Sequence, residues 1–162
     1  MATSRTPDGK MPGESKSSPR EIQNYLGRIS GPLLDRIDLH IEVPQVKFRE
    51  ITGDQAGETS AEIRGRVIAA RERQITRFKN KPKVTCNARI GPKELKEFCV
   101  LDDATKDLLK MAMTELNFSA RAFDRILKVA RTIADLGASE NILSEHVSEA
   151  IQYRSLDRQL WT

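Results

Sequence analysis

The sequence predicts a mainly α-helical protein. Helix-start signatures recur along the chain. From residue 59 onward the apolar residues return every three or four positions. Charged residues make up 31% and aromatics only 5%, so the core must rest on Leu, Ile, Val and Ala, which suits helices better than a sandwich or barrel.

Residues 1–17, MATSRTPDGKMPGESKS, carry Gly, Pro, Ser and Lys without periodicity. They are expected to be disordered, a linker or an added tail. Order is expected from Ser18, where Ser18-Pro19-Arg20-Glu21 has the form of a capping box with Pro at the first helical position. Ile22, Tyr25, Leu26 and Ile29 follow at helical spacing, and Gly27 ends or loosens that helix. Gly31-Pro32 opens a second short helix, with Leu33, Leu34 and Ile37 expected to face inward.

The period then changes. Leu39, Ile41 and Val43 alternate with polar residues and stop at Pro44, the pattern of a half-buried strand; Val46 and Phe48 extend it. No other segment reads as a strand, and a strand without a ladder leaves its backbone groups unpaired. Either it pairs with the Val46 segment as a weak ribbon or its sheet lies in sequence outside this chain; the second is favoured, with the chain beginning part-way through a domain. Residues 52–58 form a loop.

Beyond the loop every segment reads as helix. Thr59 opens a long one through a second capping box, with Ile63, Val67, Ala70 and Phe78 on its buried face and a stop near Asn80. Gly91-Pro92 opens a short helix with Leu95 and Phe98. Asp102 or Asp103 caps the next, with Leu108, Met111, Ala112 and Leu116 inside. Ser119 caps another that ends at Gly137, and Ser144 caps the last, burying Val147, Ala150 and Ile151.

Three basic features could meet an anion. In the helix from Ser119 to Leu136, Phe123, Ile126, Leu127, Ala130, Ile133 and Ala134 share one face at ~100° per residue. Arg121, Arg125 and Lys128 lie opposite, with Arg131 at the edge. A solvated basic face is the plainer account, but Arg121 sits in the first turn, where the helix dipole disfavours a cation unless an anion is present. Arg36, in LLDRID, is flanked by Asp35 and Asp38; spacing alone favours a local ion pair over a guanidinium presented to a phosphate. The stretch from Arg64 to Lys83 holds eight basic residues, including Arg71, Arg73 and Arg77, against Glu72 alone. A solvated helix is the default there, and nucleic-acid contact through phosphates is the alternative.

Other chemistries find no support. The net charge of +4 tolerates anionic partners without demanding them. Cys86 and Cys99 match no zinc spacing and are expected as reduced thiols of a cytoplasmic protein. His146 is expected to be structural. No run is long and apolar enough to span a membrane. There is no GxxxxGK[ST] phosphate loop, and no strand ends in paired acids for magnesium.

YLGRISGPLLDRIDLHIEVP (25–44), SAEIRGRVIAARERQ (60–74) and SARAFDRILKVARTIADL (119–136) resemble the C-terminal part of the magnesium-chelatase-like AAA+ ATPases, in the bacterial ComM/YifB competence-protein branch. The resemblance covers most of residues 20–155. It implies a helical-bundle AAA+ lid domain, residues 56–162, preceded by the last short helices and strand of an α/β ATPase core, residues 18–55. Arg36 falls where that family carries its arginine finger, acting in trans on a neighbouring subunit's nucleotide. Arg121 falls at the sensor-2 arginine, with Arg125 a weaker candidate for nucleotide contact. The implied parent uses ATP and magnesium, assembles identical subunits into a ring, expected to be a hexamer, and processes DNA in branch migration and transformation. This stretch alone is expected to bind neither cofactor and to hydrolyse nothing, since the Walker elements lie upstream. The branch also carries a cysteine-rich segment before the first helix; here GESKSSPR stands there, so no metal site carries over. The alternatives are a free-standing helical module that binds nucleic acid or another protein.

Overall fold

Pro19 begins the first helix for the reason its sequence implies: its missing N–H costs nothing at that position. A computed structural model describes residues 6–9, 15–28, 33, 36–41, 43 and 57–154. They fall into two units, one within residues 1–37 and one within 38–156.

In the first unit, α1 spans Pro19–Leu26. The Glu21 N–H donates to Ser18 Oγ (3.3 Å) and the Ser18 N–H donates to Glu21 Oε2 (2.8 Å), closing the expected capping box. Gly27 is the C-cap, its N–H bonded to the Gln23 carbonyl at 2.9 Å. Within the expected tail, Thr6 is buried and Asp8 accepts bonds from Ser15 Oγ and the Lys16 N–H. Leu33 is helical but exposed rather than turned inward. Ile29, Leu34, Val46 and Phe48 lie outside the described residues.

The second unit is a bundle of five α-helices among the described residues. In order they are α2 (Ser60–Arg77), α3 (Pro92–Phe98), α4 (Asp103–Glu115), α5 (Ala120–Leu136) and α6 (Ser144–Gln152), with a 3-10 turn at Asn87–Arg89 that the sequence did not announce. Helix α5 is central: α2, the 3-10 turn, α3 and α6 all pack against it. Ile126, Ala130 and Ala134 of its apolar face are fully buried, with Leu127 close behind. The small Ala side chains let Val147 and Ala150 of α6 approach closely, and Leu109 of α4 and Ile90 complete the centre. Phe78 and Phe98 meet edge to face, centroids 5.4 Å apart, and tie the end of α2 to α3.

Several expectations are corrected. Residues 39–41 and 43 form no strand; Leu39, Ile41 and Val43 are all exposed, and the His40 N–H donates to the Tyr153 carbonyl beyond α6 at 2.8 Å. Alternation marks a strand only where a ladder partner lies alongside. On α2, Ala70 and Phe78 are buried as expected, but Ile63 and Val67 are 44% and 47% exposed, lining an open groove with Ile133 and Leu136 of α5. On α4 the buried positions are Thr105 and Leu109, and Met111 is 61% exposed. On α5, Phe123 is exposed, while Arg131, placed at the polar edge by projection, is buried. Leu143 rather than Ser144 is the N-cap of α6.

The end of α5 also departs from expectation. Gly137 caps the helix with an ordinary negative φ, and the left-handed residue is Ala138, at φ 58°. The Ser139 N–H returns to the Ala134 carbonyl at 2.8 Å, the closure that makes a left-handed residue necessary here.

Candidate functional site

Helix α5 begins with Ser119, whose hydroxyl accepts the Ala122 N–H at 3.2 Å. The first turn holds no acid. Every other described α-helix has one: Glu21, Glu62, Glu94, Asp103 and Glu145. Those carboxylates complement the positive helix end. Hydrogen bonds from the capping residues, Ser18 for Glu21 and Thr59 for Glu62, hold these two below the ordinary glutamate pKa. In α5 an exposed arginine, Arg121, stands in that place. Positive helix end and guanidinium therefore sum with no acid in the same turn, an arrangement suited to a phosphate.

Farther along α5 the basic face is progressively taken up. Arg125, one turn on, is half-buried and paired with Asp38. Lys128 Nζ reaches the Ala88 carbonyl at 3.4 Å. Arg131 is buried, donating to the carbonyls of Ser139 and Glu140 at 2.8 Å each and lying 3.2 Å from Asp135. Projection groups these residues; the fold separates their tasks. Arg36 is exposed, its backbone N–H bonded to the Leu33 carbonyl at 3.0 Å.

The basic stretch divides in the same way. Arg73 is exposed. Arg71 is exposed but donates to Gln74 Oε1 (2.9 Å) and the Thr85 carbonyl (3.2 Å). Arg77 turns inward: both terminal nitrogens bond Asp135, one at 2.7 Å to Oδ2, and Nη1 also reaches Asn87 Oδ1 at 3.2 Å. Asn87 Nδ2 donates to Asp135 Oδ2 (2.8 Å) and Thr132 Oγ1 (3.1 Å), so the 3-10 turn completes a buried polar network. Sequence reasoning missed this network. The available signal was Asp135 beside the buried Ala134 and four residues after Arg131, at helical ion-pair spacing.

His146 Nδ1 accepts the Leu143 N–H at 2.9 Å, capping the start of α6, a structural task. A groove of about 620 Å³ lies beside it, lined by Ile63, Val67, Ile133 and Leu136 among others. Burial pushes the Cys99 thiol up to about 11. At Cys86 burial acts in the same direction but is outweighed by hydrogen bonds, chiefly from the Arg89 N–H, and the thiol lies below its usual range. No group of three or more His, Cys, Asp or Glu side chains that could hold a metal occurs among the described residues, and no helix among them is long and apolar enough to cross a membrane.

The chain matches two family descriptions. Residues 57–154 match the C-terminal region of magnesium chelatase, subunit ChlI, and residues 1–51 match magnesium chelatase, subunit ChlI. It is 42% identical to competence protein ComM of Haemophilus influenzae, across 98% of this chain and 31% of the relative. It is 39% identical to YifB of Salmonella typhimurium and 40% identical to YifB of Escherichia coli, each over 98% of this chain and 31% of the relative. The chain thus spans about a third of the length of these curated relatives. The match over residues 57–154 takes in the whole helical bundle and both ends of α5, and on that ground the chain belongs to the magnesium-chelatase family of ComM and YifB type, as a stretch of its C-terminal region.

Proposed function

We propose that this chain is the finger-and-lid portion of a ring-forming AAA+ ATPase. Residues 18–55 end the ATPase core and residues 56–162 form the lid. Arg121 acts as sensor 2, contacting the nucleotide of its own subunit, and Arg36 acts as an arginine finger on the nucleotide of the next. The observation that carries the reading is the first turn of α5, where an exposed Arg121 replaces the acid present in the other helices. That turn suits a phosphate oxygen. The parent would take ATP with magnesium, the metal being held by residues outside this portion. Magnesium supplies charge neutralisation on the phosphates; Arg36 adds a fixed positive charge as negative charge develops on the transferred phosphoryl group. This portion alone hydrolyses nothing. Identical subunits form the ring, a hexamer, and the cargo is DNA; the word competence in the name of the Haemophilus relative supports that cargo.

The test is steady-state ATPase activity of the full-length protein carrying Arg36→Ala or Arg121→Ala. Arg36→Ala is expected to lower kcat by about 10³-fold or more. Arg121→Ala is expected to raise KM as well. Near-normal turnover in both variants sinks the reading.

The exposed Arg64, Arg71, Arg73, Lys79 and Lys83 favour a second reading, DNA contact by α2 and the segment after it. Arg77 is committed to Asp135, so contact falls to the exposed residues. Binding of this chain to duplex DNA should then weaken with salt and with Arg71→Glu plus Arg73→Glu. No binding at low salt removes the reading and leaves protein interaction through the helical surfaces.

A further inference from the structure

Two outward stripes of the helical bundle complement each other. On α2, Arg64, Ile68, Arg71 and Ile75 share an arc of about 60° at ~100° per residue. All four are exposed, the isoleucines by 50% and 62%. Ala70 and Gln74, the buried residues of α2, lie on another face. On α4, Ala104, Asp107, Met111 and Glu115 form a second exposed stripe, on the side away from the buried Thr105 and Leu109. Lys106 and Lys110 stand about 60° or more from that stripe. Phosphates take charge and gain nothing from two isoleucines set among the arginines of α2. A helix that alternates acidic and apolar or small residues answers both, and α4 is such a helix. Set antiparallel, the stripes match position for position: Arg64 with Glu115, Ile68 with Met111, Arg71 with Asp107, and Ile75 over the small Ala104. Each runs about 16 Å from its first residue to its last. Within one chain α2 packs on α5 and α4 packs on α6, and both stripes are left exposed.

We propose that the α2 stripe of one copy of this chain docks antiparallel on the α4 stripe of the next copy. The two surfaces differ, so each copy keeps one of each open after pairing, and such a head-to-tail contact builds a ring where the rotation closes. The inference rests on the ring proposed above and names a contact within it. Two short helices bury little beside the roughly 1,200–2,000 Å² of a stable interface, so the contact reinforces a ring that other surfaces also hold. Arg71 keeps its bonds to Gln74 and the Thr85 carbonyl and has further N–H donors for Asp107.

The experiment is sedimentation velocity of the full-length protein with magnesium and ATPγS across a range of protein concentrations. Arg64→Glu with Arg71→Glu, and separately Asp107→Arg with Glu115→Arg, should each raise the concentration for half-assembly by about tenfold or more. All four changes in one chain should return it to within about threefold of the parent, because each reversed stripe then meets a reversed stripe on the next copy. Ile68→Ser with Ile75→Ser should weaken assembly to a similar degree and leave duplex-DNA binding within about twofold. Charge-reversed pairs that assemble like the parent, or a four-change protein of parental melting temperature that does not regain assembly, overturn the contact. Loss of DNA binding with assembly intact in the isoleucine variant gives this face to nucleic acid and overturns it as well. If the parent itself stays monomeric, the ring reading has failed and the contact falls with it. If the parent assembles and every variant does so equally, the contact alone has failed.

Discussion

Arg77 and Asp135 form a two-pronged ion pair across the bundle, 58 residues apart in sequence, with Arg77 Nη1 at 2.7 Å from Asp135 Oδ2. The Asp135 side chain is fully buried and the Arg77 side chain 16% exposed. The pair joins the last turn of α2 to the last turns of α5. Asn87 adds a hydrogen bond to Oδ2, and the Arg131 guanidinium lies 3.2 Å from Oδ1, so both oxygens face donors or positive charge.

Removing the acid leaves two arginines facing each other in a buried site. Asp135→Ala should destabilise the protein by about 3–5 kcal/mol, whereas Arg77→Ala should cost less, because Arg131 and Asn87 still bond the carboxylate. Urea denaturation of the two variants measures the order.

The same acid sets a pH dependence. Burial raises its pKa, but the hydrogen bonds of Arg77 and Asn87 and the charges of Arg77 and Arg131 outweigh that, and the net shift is downward. A lowered native pKa means the unfolded chain takes up the proton first as pH falls. The contribution of Asp135 is therefore fully present above the unfolded value of about 3.9 and is lost as pH falls through the lower native value. The stability difference between the parent and Asp135→Asn should be flat from about pH 5 to 8 and shrink below about pH 4.

Leu109→Ala should cost about 2–5 kcal/mol, and Met111→Ala should stay within about 0.5 kcal/mol. The residues are two apart on α4, 1% and 61% exposed. Equal losses in thermal denaturation would contradict the orientation of that helix.

Ala138 sits in the left-handed region, where a Cβ is strained, and Arg131 holds the loop after it through two carbonyls. Ala138→Gly should therefore stabilise the protein by about 1 kcal/mol, raising Tm by about 4–8 °C. A lower Tm would show that the glycine's added freedom in the unfolded chain outweighs the relief.

What could be read in the sequence was local in origin. The capping boxes at Ser18 and Thr59, the caps at Asp102 and Ser119 and the buried stripe Ile126, Leu127, Ala130 and Ala134 depend on neighbours within four residues, and they stand where spacing placed them. The placement of Arg121 in a first turn is local too. What periodicity could not supply was which side of each helix meets a neighbour and for how long. Ile63 and Val67 have the spacing of a buried face but line an open groove and stay nearly half exposed. Arg131 and Asp135 have the chemistry of a surface pair but lie where three elements converge.

The sequence by itself determined where most of the helices start, the apolar stripe of the central one and the family of the chain, because caps and stripes are set by residues within a turn or two. Only the tertiary structure decided which arginines remain open to a partner. Arg77 and Arg131 go inward to Asp135, Arg125 goes to Asp38, and Arg121 stays exposed. A guanidinium reaches whatever acceptor the packed helices bring within range, and partners 58 and 87 residues away are brought there by packing, not by any local pattern.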